Sequence, residues 1–151
     1  MNFKNIINSF NDKKVKIFVD MDGVLADYIV EKIIDYSNKR PLTNNIKLLK
    51  EISNNENIDL YILSVSRTNK GVIDKNNWLD KYASFFKKEN RIIISKEENL
   101  GLKSSELKAN YLKNIKDECL VVLIDDDPLV LKKVNEECSN IILLKDCVFV
   151  D

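Results

Sequence analysis

Val15-Lys16-Ile17-Phe18-Val19-Asp20-Met21-Asp22-Gly23-Val24-Leu25-Ala26-Asp27 is the stretch on which this chain turns. An apolar run ends in two carboxylates one residue apart, then a glycine, then a third carboxylate. Like charges this close raise each other's pKa unless a cation or hydrogen-bond donors offset them. Carboxylates at the mouth of a buried strand therefore point to a metal ion.

Outward from that run, four more short stretches rich in Ile, Val and Leu read as strands. The five predicted strands span 15–20, 59–64, 91–95, 120–125 and 141–144. Each is nearly continuous rather than alternating, which suits strands buried on both faces of a parallel sheet. Helical spacing lies between them, at 28–39, 44–53, 74–88 and from about Ser104, its expected N-cap. A last helix opens at Pro128, with Asp127 as N-cap and proline in the first helical position. Trp78, Tyr82, Phe85 and Phe86 read as core packing. Alternating strands and helices predict an α/β three-layer sandwich, with 1–151 as a single domain.

Composition narrows the chemistry. There is no histidine among the 151 residues. A Ser-His-Asp triad, a Cys-His dyad and a His-ligated zinc site are therefore excluded. Cys119, Cys138 and Cys147 have no close metal-type spacing and read as reduced thiols. No apolar run is long enough to cross a bilayer, and the first residues lack the apolar segment of a signal peptide. A cytoplasmic protein without membrane contact is expected. Residues 67–116 hold twelve basic and six acidic side chains, and residues 117–151 hold three basic and nine acidic ones. The plain reading is solvated lysines on helix faces. The functional reading is a cationic rim that draws a phosphate-bearing substrate toward an acidic centre.

In an open parallel sheet, ligands bind beyond the carboxyl ends of the strands. The predicted strands end at Asp20, at Ser64 and at Asp125, and Lys108 lies in the first turns of the helix after the third strand. Acid, hydroxyl, amine and acid thus reach one rim from four separate segments.

Asp20-Met21-Asp22-Gly23-Val24-Leu25, Ser64 after Tyr61-Ile62-Leu63, Lys108, and Asp125-Asp126 after the fourth strand resemble, in that order, the four motifs of the haloacid dehalogenase-like (HAD) phosphohydrolases. The resemblance covers most of the chain and implies a Rossmann-like fold with a mostly parallel five-stranded sheet. The string Asp20 to Tyr28, together with Lys75-Asn76-Asn77-Trp78-Leu79-Asp80-Lys81-Tyr82 and Asn90-Arg91-Ile92-Ile93, looks most like the cytosolic 5'(3')-deoxyribonucleotidase-like branch. Only 36 residues separate Asp27 from Ser64, which leaves no room for a full helical cap. The site is expected to be open, or covered by a neighbouring subunit in an oligomer.

The resemblance implies a Mg²⁺-dependent phosphomonoester hydrolase working through an aspartyl-phosphate, on a small phosphorylated substrate such as a nucleotide. Asp20 would be the nucleophile, and Asp22 the acid and then the base. Asp20, Asp125, Asp126 and the backbone carbonyl of Asp22 would hold Mg²⁺. Ser64 and Lys108 would bind the phosphoryl oxygens, with Ser66 and Lys103 as the respective alternatives. Arg67 is either a further phosphate contact or a plain surface arginine. The short stretch Ser66-Arg67-Thr68 and the capless layout are also similar to polynucleotide-end phosphatases, which would make a nucleic acid end the substrate. Two readings of another class are a phospho-accepting receiver domain, whose chain order differs, and a catalytically silent binding domain.

Overall fold

The short Val, Ile and Leu runs form β1 (Val15–Val19), β2 (Ile58–Ser66), β3 (Arg91–Ser95), β4 (Leu120–Asp125) and β5 (Ile141–Lys145) in the computed structural model. It describes residues 2–28, 35–115 and 118–150. The strands make one sheet in the order β3-β2-β1-β4-β5, every neighbouring pair parallel.

Side chains alternate across the sheet, and each face meets its own helices. Ile17, Val19, Leu60, Ile62, Val122 and Ile124 pack in one cluster with residues of α1 (Phe3–Ser9), α2 (Thr43–Ile52) and α3 (Asn69–Tyr82). Phe18, Leu63, Val121 and Leu123 pack on the opposite face against α4 (Ser104–Lys113) and α5 (Pro128–Glu137). This is the expected three-layer α/β sandwich, here with an all-parallel sheet. Trp78 and Phe86 are fully enclosed in the first cluster, with Tyr82 and Phe85 packed against it.

Register places the site. Val19 lies opposite Ile124, so Asp20 and Asp125 leave adjacent strands at one level. The chain passes from central β1 to β2 on one side and later enters β4 on the other. That reversal opens a crevice beyond the carboxyl ends of β1 and β4.

Several boundaries differ from the sequence expectation. β2 runs two residues further, to Ser66, because Val65 and Ser66 stay in register with Ile94 and Ser95. α3 starts at Asn69 rather than 74, since Thr68 Oγ1 accepts the Gly71 N–H at 3.0 Å and caps it there. It stops at Tyr82, so Phe85 and Phe86 pack from the following loop. The N-cap of α4 is Lys103 instead of Ser104, and the Glu106 carboxylate accepts the Lys103 N–H at 3.2 Å. Half of the helix expected at 28–39, residues 29–34, lies outside the described residues. Its end is a 3₁₀ turn, Tyr36–Asn38, capped by Asp35.

The excursion after β1 is tied at its base. Asp27 N–H donates to Arg40 C=O at 2.8 Å and Leu42 N–H to Leu25 C=O at 2.7 Å, so the chain leaves and returns as a closed stem. The described residues form no large cap. No helix among the described residues is long and apolar enough to cross a membrane.

Candidate active site

Asp20 follows the last residue of β1 and Asp125 ends β4; both are buried, Asp125 completely. Asp126 is next in the chain. One carboxylate oxygen from each of the three lies within 4.8 Å of the others. Lys108 reaches this cluster from the second turn of α4. Its Nζ donates to Asp20 Oδ1 at 2.9 Å and to Asp125 Oδ2 at 2.6 Å. Lys103, the alternative, is exposed at the start of α4.

Charge in this cluster is only partly balanced. Burial, followed by the Asp20 charge, raises the pKa of Asp125 despite the Lys108 ammonium beside it. Burial and then Asp20 and Asp125 push Asp126 up to about 7. Burial alone would lower the Lys108 pKa, but Asp20 and Asp125 outweigh it and raise it, so the lysine stays charged. Two acids held above their normal range beside a single ammonium leave a demand for one more cation. Three hard carboxylate oxygens suit Mg²⁺, so the donor set fits that ion.

Gly23 makes the cluster sterically feasible. Its φ is +80°, and a Cβ there would overlap the Asp126 carboxylate. Glycine alone combines that backbone with that approach. Asp127 is the N-cap of α5, its carboxylate accepting the Leu129 N–H at 2.9 Å. Asp27, the third carboxylate of the opening stretch, pairs with Arg40 at 2.8 Å and serves the stem.

Asp22 lies on the cavity wall and is gripped from behind. Its Oδ1 accepts from Lys39 Nζ at 2.6 Å and from the Tyr36 hydroxyl at 2.9 Å, and its Oδ2 from Lys75 Nζ at 3.1 Å. Burial acts to raise its pKa, yet the Lys75 and Lys39 ammonium groups outweigh burial and hold it below the usual carboxylate range. Burial, the Asp22 charge and their hydrogen bond raise the Tyr36 pKa, so its hydroxyl remains a donor.

Ser64 is fully buried two residues before the end of β2, and its Oγ accepts from Lys75 Nζ at 2.7 Å. Ser66 turns to α3 instead, donating to Thr68 C=O at 2.8 Å against the bare face of Gly71. Neither hydroxyl lines the cavity, whereas Val65 and Arg67 do. That cavity, about 540 Å³, is walled by Asp20, Asp22, Lys108, Asp125 and Asp126 on its acidic side, with Arg67 and Lys96 also on its wall.

Sequence reasoning did not pick out Lys39, Tyr36, Lys75 or Lys96 as site residues. For Lys75 a signal existed: it stands three and four residues before buried Trp78 and Leu79, on the core-facing stripe of a helix, where a charge needs a reason. Lys39 and Tyr36 carried no comparable mark.

No known protein-family model matches the chain, and no curated protein matches it. Solved structures do. A chain of the Pnkp1/Rnl/Hen1 RNA repair complex superposes with a TM-score of 0.66 at 18% identity, over 89% of this chain and 43% of that one. The N-terminal part of BF1531 from Bacteroides fragilis, containing a phosphatase domain complexed with Mg, gives 0.57 at 17% identity, over 91% of this chain and 37% of that one. The HAD domain of the effector Lem4 from Legionella pneumophila gives 0.51 at 14%, over 87% and 86%. The chain thus spans less than half the length of the first two. The fold it shares with them is the HAD-like α/β fold.

Proposed function

We propose that this chain is a Mg²⁺-dependent phosphomonoester hydrolase that works through an aspartyl-phosphate on Asp20. The observation that carries this reading is the Asp20–Asp125–Asp126 cluster, spanned by Lys108, at the floor of an open cavity. The fold shared with phosphatase domains supports it.

Asp20, Asp125 and Asp126, with the backbone carbonyl of Asp22, would hold the ion. Bound Mg²⁺ supplies the positive charge that lets a carboxylate approach a phosphate dianion. Asp20 attacks phosphorus, the ester P–O bond breaks, and the leaving oxygen takes a proton from Asp22. Water then attacks the acyl phosphate, Asp22 accepts a proton from it, and inorganic phosphate departs with Asp20 restored. Lys108 offsets charge on the phosphoryl oxygens, and Arg67 on the cavity wall is placed for a further phosphate of the substrate, beyond the reacting one. Ser64 acts from beneath through Lys75. The two ammonium groups on Asp22 favour its carboxylate form, the form needed for the water step; in the first step only the protonated fraction of Asp22 donates.

A nucleotide is the preferred small substrate, on the resemblance of the opening stretch and of the Lys75–Tyr82 string. A nucleic acid end is the second reading. An open cavity with Arg67 and Lys96 on its wall can accept an ester whose leaving group carries more phosphates, and a shared fold with a chain of an RNA repair complex agrees. The test is a screen of mononucleotides, sugar phosphates and phosphorylated oligonucleotide ends, with Mg²⁺ and with chelator. Turnover of mononucleotides supports the first reading. Turnover of oligonucleotide ends alone, falling steeply with salt, supports the second. No Mg²⁺-dependent release of phosphate from any of them would overturn both.

A further inference from the structure

We infer that Lys39, Lys75 and Tyr36 are positioning residues: they aim Asp22 at the water that opens the aspartyl-phosphate. The inference rests on the phosphatase reading and adds parts to its machinery.

A carboxylate has roughly four lone-pair directions for hydrogen bonds. Three of those on Asp22 are taken, by Lys39 and Tyr36 on Oδ1 and by Lys75 on Oδ2. Among the described residues one acceptor direction is left, on a side chain that lines the cavity. A carboxylate with one free direction accepts a proton from one place.

The three donors are themselves fixed. Lys75 Nζ has three acceptors, Asp22 Oδ2, Ser64 Oγ at 2.7 Å and Val65 C=O at 2.9 Å, so all three of its N–H bonds are used. The backbone carbonyl of Lys39 accepts the Trp78 indole N–H at 3.0 Å, which anchors the 3₁₀ segment to α3. Both ammonium groups also sit over the Tyr36 ring, at 4.7 Å for Lys39 and 5.4 Å for Lys75.

Direct contact with substrate is a poor alternative role. Lys39 and Lys75 are 6% and 4% exposed, and neither they nor Tyr36 line the cavity. Their effect on a reacting phosphate must pass through Asp22. A small misplacement of a reacting group can cost about a hundredfold in rate, so rigid support there is worth three buried side chains.

The experiment compares wild type with Lys39→Met, Lys75→Met and Tyr36→Phe, all with Mg²⁺. It follows turnover of para-nitrophenyl phosphate and the fraction of protein carrying covalent phosphate, by intact mass after acid quench. The expected result is a kcat lower by about 10- to 100-fold with KM within about twofold. The phosphate-bearing fraction should rise, and Lys39→Arg should recover part of the rate. Unchanged kcat, or a loss with no rise in phosphorylated protein, would overturn the inference. Should Lys75→Met fail to fold, Tyr36→Phe carries the same comparison, since it deletes a single hydroxyl. If wild type hydrolyses no phosphomonoester, the phosphatase reading is what fails. Crystal structures then decide the positioning claim: an unmoved Asp22 carboxylate in Lys39→Met overturns it, and a displaced one upholds it.

Discussion

Gly23 and Asp126 come from loops more than a hundred residues apart and meet so closely that no side chain fits between them. The turn after β1 therefore limits where the second residue of the acidic pair after β4 can stand. Gly23→Ala strains a positive φ, costing about 1–2 kcal/mol, and at the same time pushes Asp126 out of the cluster. The melting temperature should fall by only about 2–8 °C, while Mg²⁺-dependent turnover falls by far more. Equal activity in the variant would show that Asp126 is dispensable.

Asp20→Asn should abolish turnover of every phosphomonoester. Its neighbours Asp125 and Asp126 remain, so Mg²⁺ should still raise its melting temperature, by less than in wild type. Retained turnover would remove Asp20 as nucleophile.

Lys108→Met leaves Asp20 and Asp125 facing each other without their shared ammonium. Removing one partner from a buried charge cluster costs about 3–5 kcal/mol. Urea unfolding should show that loss in chelator and a smaller one with Mg²⁺, whose charge replaces part of what the lysine supplied. An equal loss in both conditions would mean the ion and the lysine do not share the same carboxylates.

Stability should depend on pH in opposite senses with and without metal. The folded-state pKa values of Asp125 and Asp126 are raised, Asp126 to about 7. Folding then binds protons that the unfolded chain releases, a stabilisation that is complete in acid and lost as pH rises through about 7. The lowered pKa of Asp22 works the other way, but it is common to both conditions and drops out of their difference. The rise in melting temperature on adding Mg²⁺ should therefore be larger at about pH 8 than at about pH 5.5. A gain that is flat with pH would contradict proton–metal competition at these two acids.

On the nucleic-acid-end reading, Arg67 and Lys96 would discriminate between substrates through contacts beyond the reacting phosphate. Replacing both by Ala should hardly change turnover of para-nitrophenyl phosphate, while raising KM for an oligonucleotide end by about tenfold at low salt and less at high salt. Equal effects on both substrates would place these two side chains on the reacting phosphate itself.

The strands, helices α2 to α5 and the rim where the strands end were legible along the chain, whereas α1 was not read from it. That follows from local physics: uninterrupted Val, Ile and Leu runs are stable only when both faces are covered, and Asp20, Lys108 and Asp125 are polar residues at the ends or first turns of such elements. Element ends were less legible. Ser66 extends β2 through pairing with β3, which assembles only in three dimensions, whereas the Thr68 cap of α3 is a local bond to Gly71 that sequence reasoning did not pick out. Tertiary structure alone decided the surroundings of Asp22. Lys39, Tyr36 and Lys75 lie 14 to 53 positions away from it, and each becomes its partner only because the 3₁₀ turn and α3 pack together behind β1. Residue type and spacing can announce a carboxylate at a strand end; which cations burial leaves beside it is a property of packing, where an unpaired charge is too costly to keep.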